Sequence, residues 1–120
     1  MDFNSGKPIY LQMADRLMDE IVAGGYMAES RIPSVREYAV SLGVNTNTAM
    51  KAYDALAQHG IIYNKRGLGY FVTPGATEQI KEERRHEFYE RHLPQLEHQM
   101  EVLGISVEEL TQQIREDQNH

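Results

Sequence analysis

The chain has no cysteine and no tryptophan among its 120 residues. Without thiols it builds neither a disulfide framework nor a thiolate metal site, which fits a reducing cytosol. Long apolar runs are missing too. None approaches the ~20 residues that span a bilayer. The opening "MDFNSGKPIY" has neither the basic start nor the apolar core of a signal peptide. A cytoplasmic protein is expected. Catalytic signatures are equally scarce, with no G-x-S-x-G, no P-loop and no H-E-x-x-H. Glu83 and His86 make one Glu-x-x-His pair with no second to match it. His86, His92 and His98 are six residues apart, on different faces of a helix. The expectation is therefore no enzyme activity, no metal and no cofactor.

An excess of positive charge is also lacking. The net charge of −6 argues at first sight against a nucleic-acid partner. Its distribution reverses that impression. Residues 1–76 carry seven basic and seven acidic side chains, whereas residues 77–120 carry five basic against eleven acidic. Within residues 31–73 five bases face two acids. A mildly basic working surface followed by an acidic appendage is the simplest reading.

What is present is enough apolar material, 41% of residues, for one modest core. Ile9, Met13, Leu17 and Ile21 recur every fourth residue after Pro8, a good first helical residue, and Gly24-Gly25 ends that helix. Arg31-Ile32 reads as a small edge strand. Ser34 and Glu37 have the spacing of a capping box and open a short helix with Val35, Tyr38, Ala39 and Leu42 on one face. Gly43 stops it. Asn45 caps a third helix whose inward face is Ala49, Ala52, Tyr53 and Leu56, which leaves Thr46, Asn47, Met50, Lys51 and Asp54 outside. Gly60 follows as a C-terminal stop. "IIYN" and "GYFVT" flank the basic turn "KRGL" and read as a β-hairpin. Two helices joined by "GVN" and followed by a hairpin make a winged helix-turn-helix.

Pro74-Gly75 marks the expected boundary between a domain at 1–75 and an arm at 76–120. In the arm, Tyr89, Leu93, Leu96, Met100 and Leu103 repeat at coiled-coil spacing, and Ile80 and Phe88 extend the face upstream. Pro94 is expected to kink or divide this helix near residue 92. Gly104 ends it. Ser106 and Glu109 form a second capping box, and Val107, Leu110 and Ile114 line the last helix. So short a pair of helices cannot bury these stripes alone, and a second copy of the chain is the simplest cover. The fold class is thus α+β: an N-terminal winged helix-turn-helix, then a two-helix dimerisation arm.

Two segments carry candidate chemistry. Lys65 and Arg66 at the hairpin tip can reach phosphates or a minor groove, and Gly67 and Gly69 let the backbone come close. Alternatively, the tip is an exposed turn with solubilising charges. Thr46, Asn47 and Thr48 place short polar groups at a helix N-terminus, where the dipole favours phosphate. Asn47 suits adenine, Lys51 a phosphate or guanine, and Met50 a thymine methyl. The bland alternative is helix capping plus ordinary surface. Arg36 is suited to a phosphate, the alternative being a salt bridge to Glu37 or Asp54.

The ordered elements "PSVRE", "GVNTNT", "KAYDAL" and "RGLGYFV" resemble the DNA-binding domain of the GntR family of bacterial transcription regulators. The likeness spans about residues 6–75, and the short tail with "LGIS" resembles that of the YtrA subfamily. This resemblance implies a homodimer on a palindromic operator, usually a repressor. It implies DNA contacts at Ser34, Arg36, Asn45, Thr46, Asn47, Thr48, Met50, Lys51, Arg66 and Gly67. Many members have arginine where this chain has Thr46 and Met50, so base preference is expected to differ. An unidentified small-molecule effector is a further conceivable partner, although no polar cluster marks its pocket. The competing reading is a winged-helix module that binds protein and not DNA.

Overall fold

In the computed structural model the described residues are 6–119. They form two compact units, Met1–Glu82 and Glu83–His120. The first holds α1 (Ile9–Val22), α2 (Val35–Leu42), α3 (Thr46–Gln58), β1 (Ile62–Lys65), β2 (Gly69–Val72) and the start of α4 (Ala76–Glu87). The second holds the end of α4, a π-helical turn at Phe88–His92, α5 (Leu93–Leu103) and α6 (Val107–Gln118).

Local signals set the helix ends of the first unit. Pro8 sits just outside α1, and its carbonyl accepts from the N–H groups of Leu11 and Gln12. At α2 the Ser34 hydroxyl accepts from the Glu37 N–H at 3.1 Å, while a Glu37 carboxylate oxygen accepts from the Ser34 N–H at 2.9 Å. Gly43 closes α2 at a φ of 67°, in left-handed territory that costs glycine nothing. The side-chain oxygen of Asn45 accepts from the Asn47 N–H at 2.7 Å and caps α3.

The core follows the expected stripes. Met13, Leu17 and Ile21 of α1 meet Val35, Tyr38, Ala39 and Leu42 of α2 and Ala49, Ala52, Tyr53 and Leu56 of α3. Ile9, the expected fourth member of the first stripe, is 45% exposed at the start of its helix. Tyr53 is wholly buried and packs its ring 6.0 Å from Tyr38 and 5.1 Å, edge to face, from Tyr70. Strands β1 and β2 pair antiparallel with Ile62 opposite Val72 and Tyr63 opposite Phe71. Arg31 pairs with Phe71 from the other side, and Ile32 donates its N–H to the Tyr70 carbonyl. The expected edge strand is thus a single bridge.

The first unit continues past Pro74-Gly75. Ala76 and Ile80 of α4 are buried among the core residues above. Ile80 therefore belongs to this core and not to the arm's apolar face.

In the second unit Leu93 donates its N–H to the Phe88 carbonyl, five residues back, which widens the helix by one residue just before Pro94. Proline has no N–H and its ring crowds the preceding turn, so the break takes the form of a π turn and the axis carries on into α5. Gly104 ends α5 at a φ of 69°. The Ser106 hydroxyl caps the Glu109 N–H at 3.0 Å. The reciprocal bond from the Glu109 carboxylate, expected of a full capping box, is not made among the described residues. No described side chain of this unit is buried.

Candidate nucleic-acid interface

The N-terminus of α3 is one half of the candidate interface. Burial of Ala49, Ala52, Tyr53 and Leu56 fixes the helix rotation, so Thr46, Asn47, Met50 and Lys51 face solvent and Thr48 is half-buried. Asn45 spends its side-chain oxygen on the cap, which frees the side chains of Thr46 and Asn47 for an external partner. The first amides of α3 point the same way, with the positive end of the helix dipole. Lys51 lies further along, in a shallow cleft of about 300 Å³ with Tyr10, Asp54 and Gln58.

Helix α2 contributes Ser34 and Arg36. The Ser34 hydroxyl and N–H are both engaged by Glu37. The Ser34 N–H, and then its hydroxyl, hold the Glu37 carboxyl below its ordinary value, so Glu37 is a charged cap at neutral pH. Arg36 is exposed and makes no ion pair with Glu37 or Asp54 among the described residues. The salt bridge that was the alternative to a phosphate contact is absent there, which leaves the guanidinium available.

The wing is the other half. Lys65 pairs with Gly69, and the Leu68 N–H bonds to the Lys65 carbonyl at 2.8 Å to close a turn through Arg66 and Gly67. Gly67 has a φ of 78° and Gly69 a φ of 107°, conformations that side chains resist. Directly paired strand residues share a face, so Tyr63, Phe71, Lys65 and Arg31 stand on the side opposite buried Ile62 and Val72. Tyr63 and Phe71 stack at 5.9 Å, and the Lys65 ammonium sits 4.4 Å from the Phe71 ring centre. Arg66, Gly67 and Leu68 form the exposed tip. No motif or periodicity in the sequence singles out Arg31. A strand reduced to one bridge is too short for alternation to reveal its outward face.

The remaining histidine candidate resolves simply. His86 Nε2 lies 3.1 Å from Glu90, one helical turn on, at the surface.

A family model described as bacterial regulatory proteins, gntR family, matches residues 9–72. The chain belongs to the GntR family. This GntR-family chain is 32% identical over 116 residues to the HTH-type transcriptional repressor YtrA of Bacillus subtilis (strain 168), a match covering 97% of this chain and 88% of YtrA. A GntR family transcriptional regulator from Listeria monocytogenes shares its architecture with a TM-score of 0.79 at 34% identity, over 95% of this chain and 98% of that one. The DNA-binding domain of AraR, solved in complex with operator ORX1, matches 61% of this chain and 92% of its own at 26% identity and a TM-score of 0.55. The GntR-family chain is thus of the YtrA type, a transcriptional regulator with a winged helix-turn-helix DNA-binding domain, and YtrA and the Listeria protein are named as transcriptional regulators and not as enzymes.

Proposed function

We propose that this chain binds a palindromic operator as a homodimer and represses transcription from it. The observation that carries the DNA reading is the rotation of α3. Its inner face is locked in the core, so the polar N-terminal residues are presented outward as a rigid set. In this reading α3 enters a major groove, with Asn47 and Met50 at base edges. Thr46, Thr48, Lys51, Arg36 and the α3 amides serve the backbone. Ser34 and Asn45 hold the two helix ends that approach the phosphates. Lys65, Arg66, Gly67 and Gly69 bring the wing to the neighbouring groove or backbone.

The dimer reading rests on the arm. Phe88, Tyr89, Leu96, Leu103, Val107 and Ile114 are exposed apolar side chains on a unit that buries nothing by itself. Leu93, Met100 and Leu110 line a groove of about 500 Å³ between α5 and α6. A second copy presents the same stripes and covers them with closed symmetry. The arm's acidic excess repels DNA and keeps this surface off the duplex. Repression is favoured by the 32% identity with the repressor YtrA.

The test is binding of the purified protein to the DNA upstream of its own gene, against a scrambled duplex of equal composition, at two salt concentrations. Tighter, salt-dependent binding to the native fragment, with a mass of two chains per site, is expected. Salt-insensitive behaviour with no DNA affinity at low salt would overturn the reading.

A further inference from the structure

Arg31 stands outside every role assigned so far, yet its placement is specific. Its backbone bridges to Phe71, which puts its side chain on the outer face of the wing with Tyr63, Phe71 and Lys65. Its guanidinium lies against the backbone of Gly69. A Cβ built at position 69 would stand 3.1 Å from Nε of Arg31, 3.7 Å from Nη2 and 3.8 Å from Cζ. Gly69 therefore does two things: it accepts a φ of 107°, and it leaves the room that the guanidinium occupies. Lys65 is the strand partner of that same glycine and is held over the Phe71 ring. Two cations thus flank one glycine on one exposed face.

Neither cation has an ion-pair partner among the described residues. Glu37 feels the charge of Arg31, but its carboxylate is committed to the Ser34 cap. The guanidinium turns its Nε–Nη2 edge toward Gly69, which leaves the Nη1–Nη2 pair of donors for an external anion with two acceptor oxygens. An ammonium beside it adds a second positive charge without competing for that geometry.

We infer that Arg31 and Lys65 form a phosphate clamp on the outer face of the wing, with Arg31 as a DNA-backbone contact that positions the wing. This rests on the DNA reading above. The partner is the diester phosphate of duplex DNA, because Lys65 is followed directly by exposed Arg66 at the tip, the wing residue already assigned to the duplex.

The experiment measures affinity of wild type, Arg31→Ala, Arg31→Gln and Arg31→Lys for the upstream fragment and for a random-sequence 30-base-pair duplex, across a salt series. Loss of one phosphate contact flattens the slope of log affinity against log salt by about 0.9 and weakens binding at 0.1 M salt by about eightfold. Arg31→Ala and Arg31→Gln are expected to show this on both duplexes, with unchanged thermal melting, while Arg31→Lys keeps the wild-type slope. A wild-type slope in both neutral variants, beside salt-dependent wild-type binding, overturns the clamp alone. Salt-insensitive wild-type protein overturns the DNA reading and the clamp with it. If Arg31→Ala fails to fold, Arg31→Gln, which keeps the first carbons of the side chain and removes the charge, decides.

Discussion

The hydroxyl of Tyr53 donates a 2.6 Å hydrogen bond to the carbonyl of Pro33, twenty residues earlier in the chain. Tyr53 is the wholly buried centre of the aromatic cluster, and Pro33 immediately precedes the α2 cap. The bond ties the helix that presents Asn47 to the turn that presents Ser34 and Arg36. Tyr53→Phe keeps the ring and removes this tie, leaving the Pro33 carbonyl short of a partner. A loss of about 1 kcal/mol in denaturant unfolding is expected, since a typical net hydrogen bond is of that order. An unchanged unfolding midpoint would mean that water replaces the hydroxyl without cost.

Asn47 and Arg66 should separate base reading from phosphate attraction. Asn47→Ala is expected to relax discrimination between operator variants by about 1–3 kcal/mol at one base pair. Arg66→Ala is expected to weaken binding to every sequence alike, with a slope shallower by about one phosphate. A footprint and a salt titration on the same set of duplexes distinguish them. Equal loss across all variants for Asn47→Ala would remove it from the base-reading set.

The Ser34–Glu37 cap has a pH signature. The Glu37 carboxyl lies below its ordinary value of 4.5 in the folded chain. A depressed carboxyl contributes stability that is whole above the unfolded value and is lost as pH falls through the folded one. The melting-temperature gap between wild type and Glu37→Ala should therefore be constant at neutral pH and narrow on acidification below about 4.5. Comparison of the two proteins cancels the other carboxylates. A gap that widens in acid would contradict the cap. Ser34→Ala, which removes the hydroxyl half of the box, is expected to cost about 1 kcal/mol at neutral pH.

Leu103 tests the dimer. It is 70% exposed at the end of α5, so a charge there leaves the folded subunit intact. Placed in an apolar interface, the same charge is expected to raise the dimer dissociation constant at least tenfold, or about 1.4 kcal/mol. Sedimentation of Leu103→Glu at micromolar concentration reads this directly. Operator affinity should fall with it, because half-sites lose their coupling. A wild-type sedimentation profile would place Leu103 outside the interface.

The local decisions were legible in the sequence, because short-range chemistry makes them. Ser34 with Glu37, Asn45, Gly43 and Gly104 are residue types that favour helix ends, and each stands at one here. Periodicity likewise named the inner faces of α2 and α3, and hence by subtraction the outward set at Thr46, Asn47 and Met50. Only the tertiary structure settled allegiances. An apolar repeat tells that Ile80 must be covered but not by which core, and the winged domain claims it. A proline tells that a helix is disturbed but not how, and a π turn at Phe88–His92 absorbs the change. Arg31 acquires its meaning from a single bridge to Phe71 and from the missing side chain at Gly69, partners forty and thirty-eight positions away. Caps and stripes act through neighbours in the chain, so they can be read in order. Contacts across forty residues depend on where the whole chain has already gone.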